Sequence, residues 1–190
     1  PVVLASRQSC QASFPDLSFK GIEFIEPSGY PDAEALASLY SSSRKGVTVK
    51  MALRLMKRPL YLAGMLLSRG DVDAMVAGAT KPTGHVVSAA SLTVGLDDSI
   101  SQPSSFFLMI LPGPPERILV FADCALEVDP NPEELADIAI LTAGNTRSLL
   151  DLDPRVALLS FSTHGSAKHA RVEKVKKTLE IIRIREPDLL

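Results

Sequence analysis

Cysteine and histidine are scarce in this chain, with two and three copies among 190 residues. Cys10 and Cys124 stand far apart and form no C-x-x-C pair, which excludes a disulfide framework and leaves no zinc spacing. They read as thiols that pack like small hydrophobes. His164 and His169 are five positions apart, which on a helix turns them roughly 140° away from each other, so they make no helical metal pair. With His85 they read as solvated or hydrogen-bonded structural residues, and no metal is expected.

Charge of one sign is missing too. The net charge is -2 and the sequence pI near 6.0, so nucleic acid or an anionic membrane would need a local basic patch, and none is evident along the chain. The Lys and Arg run from Lys168 to Lys177 reads as the wet face of the last helix. The longest apolar runs, such as SFFLMIL, fall well short of the roughly 20 residues of a bilayer span, and no charged-then-apolar segment opens the chain. A cytoplasmic protein with no membrane or nucleic-acid partner is expected. No glycine loop ends in Gly-Lys-Ser/Thr, no G-x-G-x-x-G occurs, and there is no internal repeat or low-complexity tract. The start at Pro1 and the close on REPDLL lead us to expect a fragment.

What the sequence does hold is apolar patterning, with 46% hydrophobic and 22% charged residues, enough for a proper core in one large or two small domains. Residues 21–26 read as a strand and 32–40 as a helix that Asp32 can cap. Thr48 and Pro59 then open helices over 48–57 and 59–69. Val72 to Ala77 reads as a strand buried on both faces, and Gly84 to Leu96 as a helix. The polar stretch from Gly95 to Pro103 suggests a boundary, giving domains 1–97 and 98–190. SSFFLMIL and RILVFAD, joined by PGPPE, suit an antiparallel hairpin. Asn131, Pro132 and Glu134 form the clearest helix start, ahead of Leu135, Ile138, Thr142 and Thr146 on one face. RVALLSF (155–161) reads as a buried strand, and Val172, Val175, Leu179 and Ile182 recur at helical spacing. The alternation predicts an α/β protein of mostly parallel sheets with flanking helices, plus the hairpin.

In such sheets ligands gather where strands lead into helices. Two such loops are polar. In the first, Gly78 allows close approach, Thr80 and Thr83 bring hydroxyls, Lys81 a cation, and the following helix its free N–H groups. The set suits an anion, or it turns the chain with Pro82 opening the helix. In the second, Ser160, Ser162, Thr163 and Ser166 bring hydroxyls, Gly165 freedom and Lys168 a cation, more than capping alone requires. Arg44 lies in a turn before the Thr48 cap, where a guanidinium either grips phosphate or is solvated. Asp123 either binds a ligand or bonds neighbouring backbone.

Several blocks carry a resemblance. RKGVT (44–48), RGDVDAMVAGAT (69–80), SSFFLMIL (104–111), VFADCAL (120–126) with DPNPEELADIAI (129–140), and PRVALLSFSTHGSAK (154–168) with VEKVKKTLEI (172–181) resemble, in order and spacing, the phosphate acetyltransferase and phosphate butyryltransferase family. The likeness runs from about Val3 to Leu190. It implies an enzyme that moves an acyl group between coenzyme A and inorganic phosphate, with CoA as a substrate and no cofactor or metal. It also implies a two-domain fold similar to isocitrate and isopropylmalate dehydrogenases, a site in the interdomain cleft, and a homodimer. CoA thiolate attacks acyl phosphate, helped by a carboxylate base, while arginines and hydroxyls hold the phosphate.

Carried onto this chain, the resemblance places substrate contacts at Arg44, Gly78, Thr80, Lys81, Thr83, Ser162, Thr163, Gly165, Ser166 and Lys168. His164 stands where the family has lysine, and Ser88 where it has an arginine. The family's catalytic aspartate and Ser-Arg pair fall beyond Leu190, and its first βαβ portion has no counterpart, so catalytic residues stay unassigned and the fragment is expected to lack turnover. The second reading is a non-catalytic, acyl-CoA-sensing domain of the kind fused behind malic enzymes.

Overall fold

The computed structural model describes residues 1–97, 100, 102–162 and 166–189. The chain divides into two compact units, Pro1–Gly95 and Leu96–Leu190. No helix among the described residues is long and apolar enough to cross a membrane.

The first unit begins with a short parallel pair, β1 (Val2–Val3) beside β2 (Glu23–Phe24), with helix α1 (Arg7–Ser13) between them. Its core is helical. α2 (Ala33–Ser42) contributes Leu36, Ala37 and Tyr40, α3 (Val49–Met56) contributes Ala52 and Met56, and α4 (Pro59–Arg69) contributes Leu62, Met65 and Leu66. Local chemistry sets the boundaries. Thr48 Oγ1 accepts from Met51 N at 3.3 Å, Pro59 occupies the first turn of α4, and Gly70 ends that helix with φ 83°, which side chains rarely adopt. Asp32 precedes α2 as expected but makes no cap bond. Its carboxylate accepts instead from Arg69 Nη1 at 3.2 Å, while Arg69 Nε donates to Asp71 at 2.6 Å and Nη2 to the Tyr30 hydroxyl at 3.1 Å. Helix α5 (Thr83–Thr93) completes this unit.

The second unit holds the expected hairpin, β3 (Phe106–Leu111) against β4 (Arg117–Ala122), with Phe106 opposite Ala122 and Leu111 opposite Arg117. α6 (Pro132–Leu150) opens with the capping box read from sequence: Asn131 Oδ1 accepts from Glu134 N at 3.0 Å, and Glu134 Oε2 accepts from Asn131 N at 2.8 Å. It packs on α7 (Ala170–Arg185) through Ala136, Ala139, Ala143 and Ile182.

Two expected strands are not strands here. Val72–Ala77 and Arg155–Phe161 run without regular secondary structure. A strand exists by its ladder, and among the described residues neither segment has a neighbour to bond. Neither is covered on both faces. Val72 packs on the first core while Val76 is 100% exposed, and Val156 and Leu158 pack on the second while Leu159 is 86% exposed. The burial on both faces expected of Val72–Ala77 is therefore absent, and its half-buried residues, Val72 and Met75, follow no two-residue period, whereas Val156 and Leu158 alternate with exposed neighbours without a sheet. The described ladders are one short parallel pair and one longer antiparallel pair, so the architecture is mixed α/β and a mostly parallel sheet is not part of it as described.

Candidate anion-binding loops

The loop after Val72–Ala77 turns at Gly78, whose φ of 127° only glycine adopts readily, and Lys81 N closes the turn on Gly78 O at 3.3 Å. Pro82 then precedes α5, and His85 N and Val86 N donate to Pro82 O at 3.0 and 3.4 Å. Proline brings no side-chain acceptor, no acid lies in the first turn, and no cap bond forms. The Thr83 and Gly84 amides therefore keep their donors, at the positive end of the helix dipole. Around them Thr80, Lys81 and Thr83 are exposed and make no side-chain hydrogen bond or ion pair among the described residues. Hydroxyls, an ammonium and helix amides in one uncommitted turn can hold an anion.

The second loop is already engaged with itself. Ser160 Oγ accepts from Ser162 N at 3.2 Å, Ser162 Oγ accepts from Ala167 N at 3.1 Å, and Ser162 and Ser166 hydroxyls pair at 3.3 Å. His169 caps α7 through Nδ1, which accepts from Arg171 N at 3.2 Å, and its ring lies edge-on to Phe161 at 5.6 Å. The cap requires an unprotonated Nδ1. Lys168 is exposed. Thr163, His164 and Gly165, named from sequence, lie outside the described residues.

Arg44 is placed apart from the first loop. Its Nη2 donates to Ser91 O at 3.4 Å, its guanidinium carbon lies 5.0 Å from the Tyr40 ring centroid, and its Nε is buried without a partner. Ser91 is eight residues past Thr83 on α5, about 12 Å along the axis. The arginine thus ties the turn after α2 to the far end of the helix whose start carries the loop. Ser88 is exposed on the same helix.

Of the two readings of Asp123, the structure gives the backbone one. Its carboxylate accepts from Ser105 Oγ, Ser105 N at 3.2 Å, Ala125 N at 2.7 Å, Leu126 N at 3.1 Å and Glu127 N at 3.3 Å. Burial pushes the carboxyl pKa up, but the Ser105 and backbone hydrogen bonds together outweigh it and hold it below its ordinary value. Cys10 and Cys124 are half-buried free thiols, and among the described residues no three acidic, histidine or cysteine side chains gather to hold a metal.

The family described as Phosphate acetyl/butaryl transferase matches residues 1–190. The chain is 39% identical over 184 residues to a phosphate acetyltransferase of Clostridium acetobutylicum, covering 94% of this chain and 55% of that protein. It is 34% identical over 192 residues to the phosphate acetyltransferase of Bacillus subtilis, of which it spans 58%. Among solved structures, the EutD phosphotransacetylase from Staphylococcus aureus matches with a TM-score of 0.87 at 31% identity, over 100% of this chain and 58% of the other. The chain thus spans a little over half the length of these relatives.

Proposed function

The chain belongs to the phosphate acetyl/butaryl transferase family, and from that premise we propose that the protein carrying it exchanges an acyl group between coenzyme A and inorganic phosphate. In the proposed direction of acyl-CoA synthesis, the CoA thiolate adds to the acyl carbon. A C–S bond forms, the C–O bond to phosphorus breaks, and phosphate leaves with the bonding pair.

The observation that carries this reading is the uncommitted turn of Gly78, Thr80, Lys81 and Thr83 at the start of α5. Charge builds on the departing phosphate oxygens, and donors fixed in advance around them lower the barrier without reorganising. We place the phosphoryl group there. Ser162, Thr163, Gly165 and Ser166 are proposed as further substrate contacts, supported by their match to the family's Ser-Thr-Lys-Gly-Ser loop, and Lys168 as an exposed cation close to the start of α7. Arg44 keeps its family assignment as a proposal, although its present partner is Ser91 O. CoA enters as a substrate, and the same reading extends to an isocitrate dehydrogenase-like, two-domain, homodimeric enzyme of the cytoplasm. No observation favours the malic-enzyme reading.

The test is phosphate-dependent release of CoA thiol from acetyl-, propionyl- and butyryl-CoA by the protein carrying this chain. Release with at least one of them is expected, and its absence with all three defeats the reading.

A further inference from the structure

Between Glu34 and Asp71 the sequence holds seven cations and no carboxylate. Two of the seven are engaged, Arg69 with Asp32 and Asp71, and Arg44 with Ser91 O and the Tyr40 ring. Helix geometry sorts most of the others onto one surface. At 100° per residue, Lys50, Arg54 and Lys57 fall within about 60° of arc, opposite the arc of Ala52 and Met56. Ala52 and Met56 are fully buried, whereas Lys50, Arg54, Lys57 and the adjacent Arg58 are exposed. The core contacts of α3 therefore fix a basic stripe outward, a local patch that the near-neutral overall charge conceals.

The cations of α7 are placed differently. On α7, Lys174 pairs with Asp129 at 2.7 Å, Lys176 with Glu173 at 2.9 Å, Lys177 with Glu133 at 3.3 Å and Arg185 with Asp137 at 2.7 Å. None of Lys50, Arg54, Lys57 or Arg58 meets a carboxylate among the described residues. Like charges three and four residues apart on a helix destabilise it, so the stripe costs stability that no partner within the described residues offsets.

We propose that the outer face of α3 binds the phosphates at the nucleotide end of coenzyme A, its diphosphate and 3′-phosphate. This rests on the acyltransferase reading, which supplies a substrate bearing more phosphates than the loop at Gly78 can serve. Lys50 and Lys57 are about 10 Å apart along the axis, and long flexible side chains on such a stripe can follow several phosphates at once. Exposed cations of this kind raise the local concentration of an anionic ligand and lose effect as salt rises.

The test measures binding of CoA, dephospho-CoA and pantetheine to the full chain by calorimetry. The wild type is compared with Lys50→Gln/Arg54→Gln/Lys57→Gln, and with Lys177→Gln as removal of one exposed cation on α7. The triple variant should bind CoA roughly five- to tenfold more weakly, as three exposed ion pairs would give. It should also lose the preference for CoA over dephospho-CoA and show a shallower salt dependence. Pantetheine binding, Lys177→Gln and the circular dichroism spectrum should be unchanged. Equal CoA affinity in wild type and triple variant overturns the α3 site and leaves the acyltransferase reading standing, whereas a wild type that binds no CoA overturns both. Tighter binding of a single-stranded oligonucleotide than of CoA at this face also overturns the assignment.

Discussion

Gly64 on α4 faces Thr93 on α5 so closely that a single added carbon on the glycine would run into Thr93 Oγ1 and lie 2.9 Å from its Cβ. Thr93 is itself 7% exposed and donates from Oγ1 to Ala89 O at 2.7 Å, so it has little room to turn away. The contact sets the distance between the two helices. Gly64→Ala should therefore destabilise the protein by about 1–3 kcal/mol through overpacking, read as a lower urea midpoint. Thr93→Ala in the same chain removes the clashing hydroxyl and should restore part of the loss, and a double variant no better than the single one would refute the contact.

The capping box at α6 gives a more local prediction. Asn131→Ala removes the acceptor for Glu134 N and leaves a first-turn amide without its partner, at a cost of about 1 kcal/mol. Asn131→Asp keeps an acceptor there and should stay near the wild type. Thermal unfolding of the three proteins decides it.

How much of this was legible beforehand varies with the range of the interaction. Thr48, Pro59, Asn131 and Pro132 announce their helices because a cap or an N1 proline acts within one turn. Asp32 reads equally well as a cap, yet its carboxylate goes to Arg69, a partner 37 residues away that no local rule reveals. α1 went unread because it buries nothing, so it leaves no apolar period. Val72–Ala77 and Arg155–Phe161 are short apolar runs that read as buried strands, but an apolar run says nothing about whether a neighbouring strand is there to bond. At the candidate site the two loops were legible as polar turns. Which of their hydroxyls are spent was not, because the pairing of Ser162 with Ser166 and the freedom of Thr80 and Thr83 depend on how each loop closes. The α3 stripe was missed in the sequence, where no basic patch stood out, because Lys50, Arg54 and Lys57 form one surface only once the buried Ala52 and Met56 fix the helix's rotation.

The loop at Gly78 supports a prediction about substrate. Thr80→Ala and Lys81→Ala should each weaken phosphate-dependent CoA release, by roughly three- to tenfold, since each removes one exposed hydrogen-bonding or charged contact. Gly78→Ala should weaken it further, because a φ of 127° strains any residue with a Cβ. Steady-state kinetics with phosphate varied measure all three, and unchanged kinetics in all three would mean that the phosphate lies elsewhere.

Asp123 links the hairpin to the turn that follows it, and its protonation should be felt in stability. The carboxylate accepts from Ser105 at the start of β3 and from three successive backbone amides after β4. Although burial alone would raise its pKa, these bonds favour the charged form more strongly, and the folded value lies below the unfolded one. The native state thus binds fewer protons than the unfolded chain in the acid range. The contribution of Asp123 is fully present above the unfolded carboxyl pKa of about 4, and is lost as pH falls through the folded value. Asp123→Asn keeps the shape but gives up the charge and one acceptor oxygen, so at pH 7 it should be less stable by about 1–2 kcal/mol, a figure reduced for partial exposure. The gap should narrow as the wild-type carboxyl protonates. Asp129 and Glu133 also have lowered pKa values, from their bonds to Lys174 and from a backbone amide with Lys177 respectively. Both proteins share those two groups, so they cancel in the comparison. Urea midpoints for wild type and Asp123→Asn at pH 7, 5, 4 and 3 provide the test, and a difference that stays constant across that range would show that the charge on Asp123 does not hold the turn.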